Sequence, residues 1–165
     1  MLNNIVLIGF MGSGKTTIGR ELARLFENVL LDTDSIIETN YNMQVNDIFT
    51  NFGEERFREI EISLCDWIKN NVNNAIISTG GGMPMRYDIR DIGNVFYLEA
   101  PLDELSKRII KDGIQKRPMF EQFSAIDDLY QSRVKIYKNM ADYTLNALDS
   151  ANEIAEKIYN YVKGY

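Results

Sequence analysis

The run Gly9-Phe10-Met11-Gly12-Ser13-Gly14-Lys15-Thr16 follows the pattern G-x-x-x-x-G-K-[ST], and it restricts the possible folds of the chain more than any other stretch. At average residue usage it would arise by chance in roughly one chain in two hundred of this length. Its setting narrows the reading further. Directly before it, Ile5-Val6-Leu7-Ile8 is a short apolar run stopped by Gly9, as a strand buried on both faces requires. Directly after it, Ile18, Leu22, Leu25 and Phe26 recur at helical spacing, so about Lys15 to Glu27 reads as a helix with one apolar face. A strand, a glycine-rich loop and a helix start in that order form a phosphate cradle. Glycines let backbone N–H groups turn inward, and the helix N-terminus adds partial positive charge. Gly12, Ser13 and Gly14 supply the loop, and Lys15 can reach the β- and γ-phosphates. The Thr16 hydroxyl can ligate Mg²⁺, and Thr17 adds a donor at the helix start.

The same alternation continues along the chain. Val29-Leu30-Leu31 reads as a second strand ending in Asp32-Thr33-Asp34, followed by a polar, mostly helical segment to about Asn71 in which Phe57, Ile60, Leu64 and Ile68 share a face. Ala75–Ser78 reads as a third strand closed by Gly80-Gly81-Gly82, Val95–Leu98 as a fourth, and Tyr143–Leu145 as a fifth. Helices are expected after Pro101, from about Ala125 to Met140, and over Ala151 to Val162. Lys111 to about Ser124 lacks periodicity and is rich in charge, so it reads as a mobile loop. Strands alternating with helices imply an α/β protein with a five-stranded parallel sheet flanked by helices. At 165 residues the chain is expected to form one domain, residues 1–165. A helical insert is expected over about 33–61 and a lid over about 111–124. In such folds ligands sit at the carboxyl ends of the strands, where every glycine cluster and acid pair just named falls.

Composition removes several chemistries. The chain has no histidine, which rules out a Ser-His-Asp triad, a Cys-His pair and a His-ligated metal. Its single cysteine, Cys65, rules out an internal disulfide and fits a reducing, cytoplasmic setting. The proton acceptor at neutral pH must then be Asp, Glu or a depressed Lys. A net charge of −6 argues against a general nucleic-acid binder. No signal peptide or apolar run of membrane-spanning length is visible.

A second oxygen ligand for Mg²⁺ should close a neighbouring strand; Asp32 and Glu99 both qualify, and Asp32 is preferred because Asp34 follows it closely. A GTPase is excluded by the lack of N-K-x-D and of any aspartate followed three residues later by glycine. What remains is a small phosphotransferase. An alcohol acceptor loses a proton as it attacks, and Asp34 is placed to take it. Gly80, Gly81 and Gly82 carry no side chains, so a small ligand can lie against their backbone. Arg58 could pair with Glu61 on its own helix or serve a ligand. Arg133 lies on the stripe Leu129, Arg133, Ile136, Tyr137, Met140, where a guanidinium needs an internal acid or a ligand carboxylate. Asp34 with the two arginines suggests a small acceptor bearing hydroxyls and a carboxylate. Arg117, in the loop, could bring a cation to the transferring phosphoryl group.

Taken in order, the phosphate loop, Asp32-Thr33-Asp34, Phe57-Arg58-Glu59-Ile60-Glu61, Gly80-Gly81-Gly82, Arg117-Pro118, and Arg133 with Tyr137 resemble the shikimate kinases over almost the whole chain. The resemblance implies a P-loop kinase fold, ATP and shikimate as partners, Mg²⁺ as cofactor, and transfer of the γ-phosphoryl group to the shikimate 3-hydroxyl on the way to chorismate. It implies Asp34 as the base at that hydroxyl and Arg58 and Arg133 on the carboxylate. It also implies the Gly81 backbone against shikimate, Lys15 and Arg117 on the phosphoryl group, Thr16 and Asp32 for magnesium, and Arg108 on adenine. A monomer is expected. Lys135 and Asn139 stand where the family often has Pro and Glu, and Met119-Phe120 where Leu-Leu is usual. The alternatives are another small-molecule kinase, such as one for gluconate, and a nucleotide-binding regulator without phosphotransfer.

Overall fold

The computed structural model describes residues 3–111 and 123–164. Strand β1 (Ile5–Ile8) leads through the phosphate loop into α1 (Lys15–Leu25), then β2 (Leu30–Asp32), α2 (Thr33–Tyr41) and α3 (Val45–Asn71). After β3 (Ile76–Ser78) come two short 3₁₀ turns, β4 (Asn94–Glu99), α4 (Leu102–Lys111), α5 (Phe123–Met140), β5 (Tyr143–Asn146) and α6 (Ala151–Lys163).

The strands form one sheet in the order β2-β3-β1-β4-β5, with every neighbouring pair parallel. All four residues of β1 are buried because helices cover both faces of this central strand, and no polar alternation is tolerated there. Each side chain fully removed from water there contributes about 1.5–3 kcal/mol. Leu7 is level with Ser78, and Asp32 with Ser78, so β1, β3 and β2 end on a common edge. The chain leaves β1 toward one side of the sheet, whereas β4 pairs on its other side. The loop after β1 therefore sits where the connections reverse direction, the usual crevice for ligands.

The second strand is shifted one residue from the expected Val29–Leu31. Val29 is 60% exposed, because β2 is the sheet edge and its register follows pairing with β3 instead of an apolar run. The segment after it is helical in two pieces. Asp32 caps α2 by accepting a hydrogen bond from Ser35 N, and Asn42 ends it in the left-handed conformation. Within α3, Gly53 has φ 83° and ψ 164°, which breaks the helical ladder and lets Val45–Phe52 fold back on the rest. Ile37, Val45, Ile48, Phe57 and Ile60 then form a small apolar cluster apart from the main core. The expected lid lies almost wholly outside the described residues, and α5 begins at Phe123, two residues earlier than the periodicity suggests.

Candidate active site

Gly12 and Gly14 adopt φ values of 79° and 90°, which disfavour any residue with a Cβ. Gly12 is also close-packed: a Cβ there would lie 3.2 Å from the Leu105 carbonyl oxygen. Gly14 caps α1 without a side-chain hydrogen bond, so no side chain competes with a phosphate for that helix start. Lys15 Nζ donates to the carbonyls of Gly9 at 2.8 Å and Phe10 at 3.2 Å. Ser13 Oγ is buried and has no hydrogen-bond partner among the described residues. Thr17 is exposed on the first turn of α1. Arg108 donates to Ala147 O at 2.8 Å and more weakly to Gly12 O at 3.4 Å, joining the phosphate loop to the loop before α6.

Of the two candidate acids for magnesium, Asp32 meets the phosphate loop and Glu99 does not. Thr16 Oγ1 donates to Asp32 Oδ2 at 2.7 Å, with Ser78 Oγ 3.4 Å away. Glu99 instead pairs with Lys138 of α5 at 2.7 Å. The helix-cap role of Asp32 uses its other oxygen, so capping and ligation are compatible. A hydroxyl beside a carboxylate is a hard oxygen set that fits Mg²⁺, which takes most of its remaining ligands from phosphates and water.

The other half of the site surrounds the loop after β3. Thr33 Oγ1 accepts a hydrogen bond from Gly80 N at 2.9 Å, which docks this loop on the start of α2. A Cβ built at Gly80 would fall 2.6 Å from Asp34 Oδ1, and one at Gly82 would fall 2.7 Å from Arg58 Cζ and collide with Arg58 Nη1. At Gly81 the nearest atom would be Arg133 Nη1, at 3.4 Å. Three consecutive glycines thus admit, in turn, an acid and two guanidinium groups. These residues line one cavity of about 310 Å³ with Met11, Val45, Phe49, Phe57 and Glu61, a volume suited to a small ligand.

The two arginines are held differently. Arg58 donates to Glu61 Oε2 at 2.6 Å and to Glu54 Oε1 at 3.2 Å, and lies over the rings of Phe57 and Phe49. Burial works against its charge, but Glu61 and Glu54 outweigh this and hold the guanidinium above its ordinary value. Arg133 is 7% exposed, and burial pulls its pKa down. Tyr137, on the next turn of α5, donates its hydroxyl to Gly81 O at 2.5 Å; burial pushes that phenol up to about 12.

Glu61 is the residue that sequence reasoning undervalued. It serves as the partner of Arg58, as expected, but it is also 1% exposed and lines the cavity, and its Oε1 has no hydrogen-bond partner among the described residues. The signal was present: Glu61 lies four residues after Phe57, on the buried stripe of α3, where a carboxylate needs partners. Phe49 and the Tyr137–Gly81 bond had no comparable mark. Arg117 lies outside the described residues.

The shikimate kinase family model matches residues 11–163. The chain belongs to the shikimate kinase family. It is 50% identical to the shikimate kinase of Helicobacter hepaticus over 95% of this chain and 94% of that one. A shikimate kinase from Clostridium botulinum is 38% identical over 83% of this chain and 84% of its own. Among solved structures, the shikimate kinase of Acinetobacter baumannii in complex with shikimate superposes with a TM-score of 0.89 at 31% identity, covering 99% of this chain and 94% of that one. The protein is therefore an ATP-dependent kinase, and the reaction of its family converts shikimate and ATP to shikimate 3-phosphate and ADP.

Proposed function

We propose that the residues named above divide that reaction as follows. Arg58 and Arg133 grip the shikimate carboxylate, and the backbone of Gly80, Gly81 and Gly82 supports the ring. Asp34 accepts the proton of the 3-hydroxyl as the oxygen attacks; a positioned base of this kind accounts for about 10²–10⁴-fold in rate. The phosphate loop, Gly12 to Thr17, holds the triphosphate through its N–H groups. Lys15 leaves the carbonyls of Gly9 and Phe10 to neutralise charge on the transferring group, with Arg117 as a second cation. Thr16 and Asp32 would hold Mg²⁺, which neutralises charge on the β- and γ-phosphates when bound. Arg108, between the phosphate loop and Ala147, lies against the base.

The observation that carries this reading is the convergence of Asp34, Arg58 and Arg133 on three adjacent glycines at the rim of the phosphate loop. Two acids and two cations line this small cavity; with Glu61 already paired to Arg58, Asp34 and the arginines complement an acceptor with one anionic group and a hydroxyl to be deprotonated. We also infer a monomer working in the cytoplasm. The single cysteine, Cys65, is free and buried, as a reducing compartment allows, and no described helix is long and apolar enough to cross a membrane.

A coupled ADP-release assay with Mg-ATP over shikimate, gluconate and nucleoside monophosphates tests the reading. Turnover is expected with shikimate alone and should vanish when EDTA removes the metal. Turnover with another acceptor and none with shikimate would overturn it.

A further inference from the structure

Phe10 belongs to the phosphate loop, yet its side chain serves the other half of the site. The ring is 1% exposed, and Tyr130 meets it edge-on with centroids 5.4 Å apart. The Arg133 guanidinium carbon lies over the same ring, 5.7 Å from its centroid. At its main chain, Phe10 O accepts hydrogen bonds from Lys15 Nζ and from Ser13 N, each at 3.2 Å. One residue therefore touches the cation of the acceptor cavity with its side chain and the cation of the nucleotide loop with its backbone.

Burial works against the charge of Arg133 and outweighs Tyr137 and Glu61, which favour it, so a further support for the guanidinium matters. None of the ion pairs among the described residues involves it, and its Nε is buried without a hydrogen-bond partner among them. A guanidinium stripped of water is stabilised by the negative face of an aromatic ring, and most strongly where solvent is excluded. The ring also limits where the guanidinium plane can lie. An aliphatic residue of similar bulk would fill the space but offer no face.

We propose that Phe10 is a positioning residue for the acceptor: its ring seats the Arg133 guanidinium in the orientation that receives the acceptor carboxylate, within the same loop that binds the triphosphate. The inference rests on the reading in which Arg133 holds the shikimate carboxylate. It makes the second position of the phosphate loop a determinant of acceptor affinity, although nothing in the phosphate-binding pattern requires an aromatic residue there.

Calorimetric titration of the full chain with shikimate, and separately with a non-hydrolysable ATP analogue, tests this in Phe10→Leu, Phe10→Met, Arg133→Ala and the Phe10→Leu/Arg133→Ala double variant. Phe10→Leu and Phe10→Met should each weaken shikimate binding about tenfold and leave the analogue's affinity unchanged. The double variant should bind shikimate no more weakly than Arg133→Ala alone, because Phe10 acts through Arg133. Unaltered shikimate affinity in both Phe10 variants, while Arg133→Ala loses affinity, overturns the inference and leaves the Arg133 assignment intact. Additive losses in the double variant overturn it too, as does a parallel loss of analogue binding in both Phe10 variants, since either marks a general packing role. If Arg133→Ala itself binds shikimate normally, the carboxylate assignment fails and the inference with it.

Discussion

Asp34 stands against Gly80 with no room for a side chain between them: a Cβ at Gly80 would lie 2.6 Å from Asp34 Oδ1 and 3.0 Å from Glu61 Oε1. Gly80→Ala should therefore push the Asp34 carboxylate out of line with the acceptor hydroxyl. A displacement on the order of 1 Å can lower turnover by about 10²-fold. Steady-state kinetics should reveal that loss in kcat with Mg-ATP affinity retained; a kcat close to that of the parent protein would contradict the packing argument.

Arg133→Ala removes one of the two cations proposed for the carboxylate. The shikimate KM should rise by about 30-fold or more, the loss typical of a buried charge partner, and the KM for Mg-ATP should stay put. Arg133→Lys should recover little of this, since an ammonium has neither the fork nor the flat face that the site uses. The contrast with an acceptor whose carboxylate is replaced by a carboxamide is diagnostic. If the amide loses as much affinity as shikimate does in Arg133→Ala, the arginine is not reading charge.

Tyr137 ties α5 to the glycine loop through the hydroxyl that it donates to Gly81 O. Tyr137→Phe leaves that carbonyl without its partner, and the expected loss of stability is about 1 kcal/mol. The more informative readout is kinetic: a several-fold higher KM for shikimate with kcat and the KM for Mg-ATP little changed. Equal losses in both substrates would make the bond a general brace.

Burial pushes the Glu61 carboxyl above its ordinary 4.5, despite the neighbouring Arg58. The folded protein therefore keeps this proton to a higher pH than the unfolded chain does. The resulting stabilisation is complete below 4.5 and is lost as pH rises through the raised folded value. Glu61→Gln has no such proton. Urea unfolding of both proteins between about pH 4 and about pH 8 should show the parent's stability, relative to the variant, falling with pH and then levelling off. A relative stability that climbs over this range would contradict the assigned direction.

The parts of the fold that could be read from the sequence are those whose residues meet one dominant constraint. Ile5–Ile8 is buried on both faces and can be nothing but apolar; Gly12 and Gly14 need positive φ, Gly12 beside a close neighbour as well; Ile154 and Ile158 mark one side of α6. The expected α5 stripe also survives, with Arg133 and Tyr137 both buried. Less legible was β2, where an edge position leaves Val29 exposed and pairing sets the register. The break at Gly53 escaped for a related reason: a single glycine in a polar helical stretch looks the same whether it bends the chain or merely lowers its helicity. In the site, glycine, acid and arginine types were visible one by one. That Gly80, Gly81 and Gly82 face Asp34, Arg133 and Arg58 respectively is a tertiary fact, because α2, α3 and α5 each approach from a different side. Asp32 also satisfied both of its readings, with one oxygen on Ser35 N and the other on Thr16.

The most direct measurement of the central claim, that Asp34 takes the proton of the acceptor hydroxyl, compares Asp34→Asn with the parent at saturating Mg-ATP and shikimate, alongside titrations of each ligand. The substitution keeps the shape and removes the basic oxygen. The expected result is a fall in kcat of about 10²–10⁴-fold with ATP and shikimate still bound. A kcat within a few-fold of the parent's would contradict that claim.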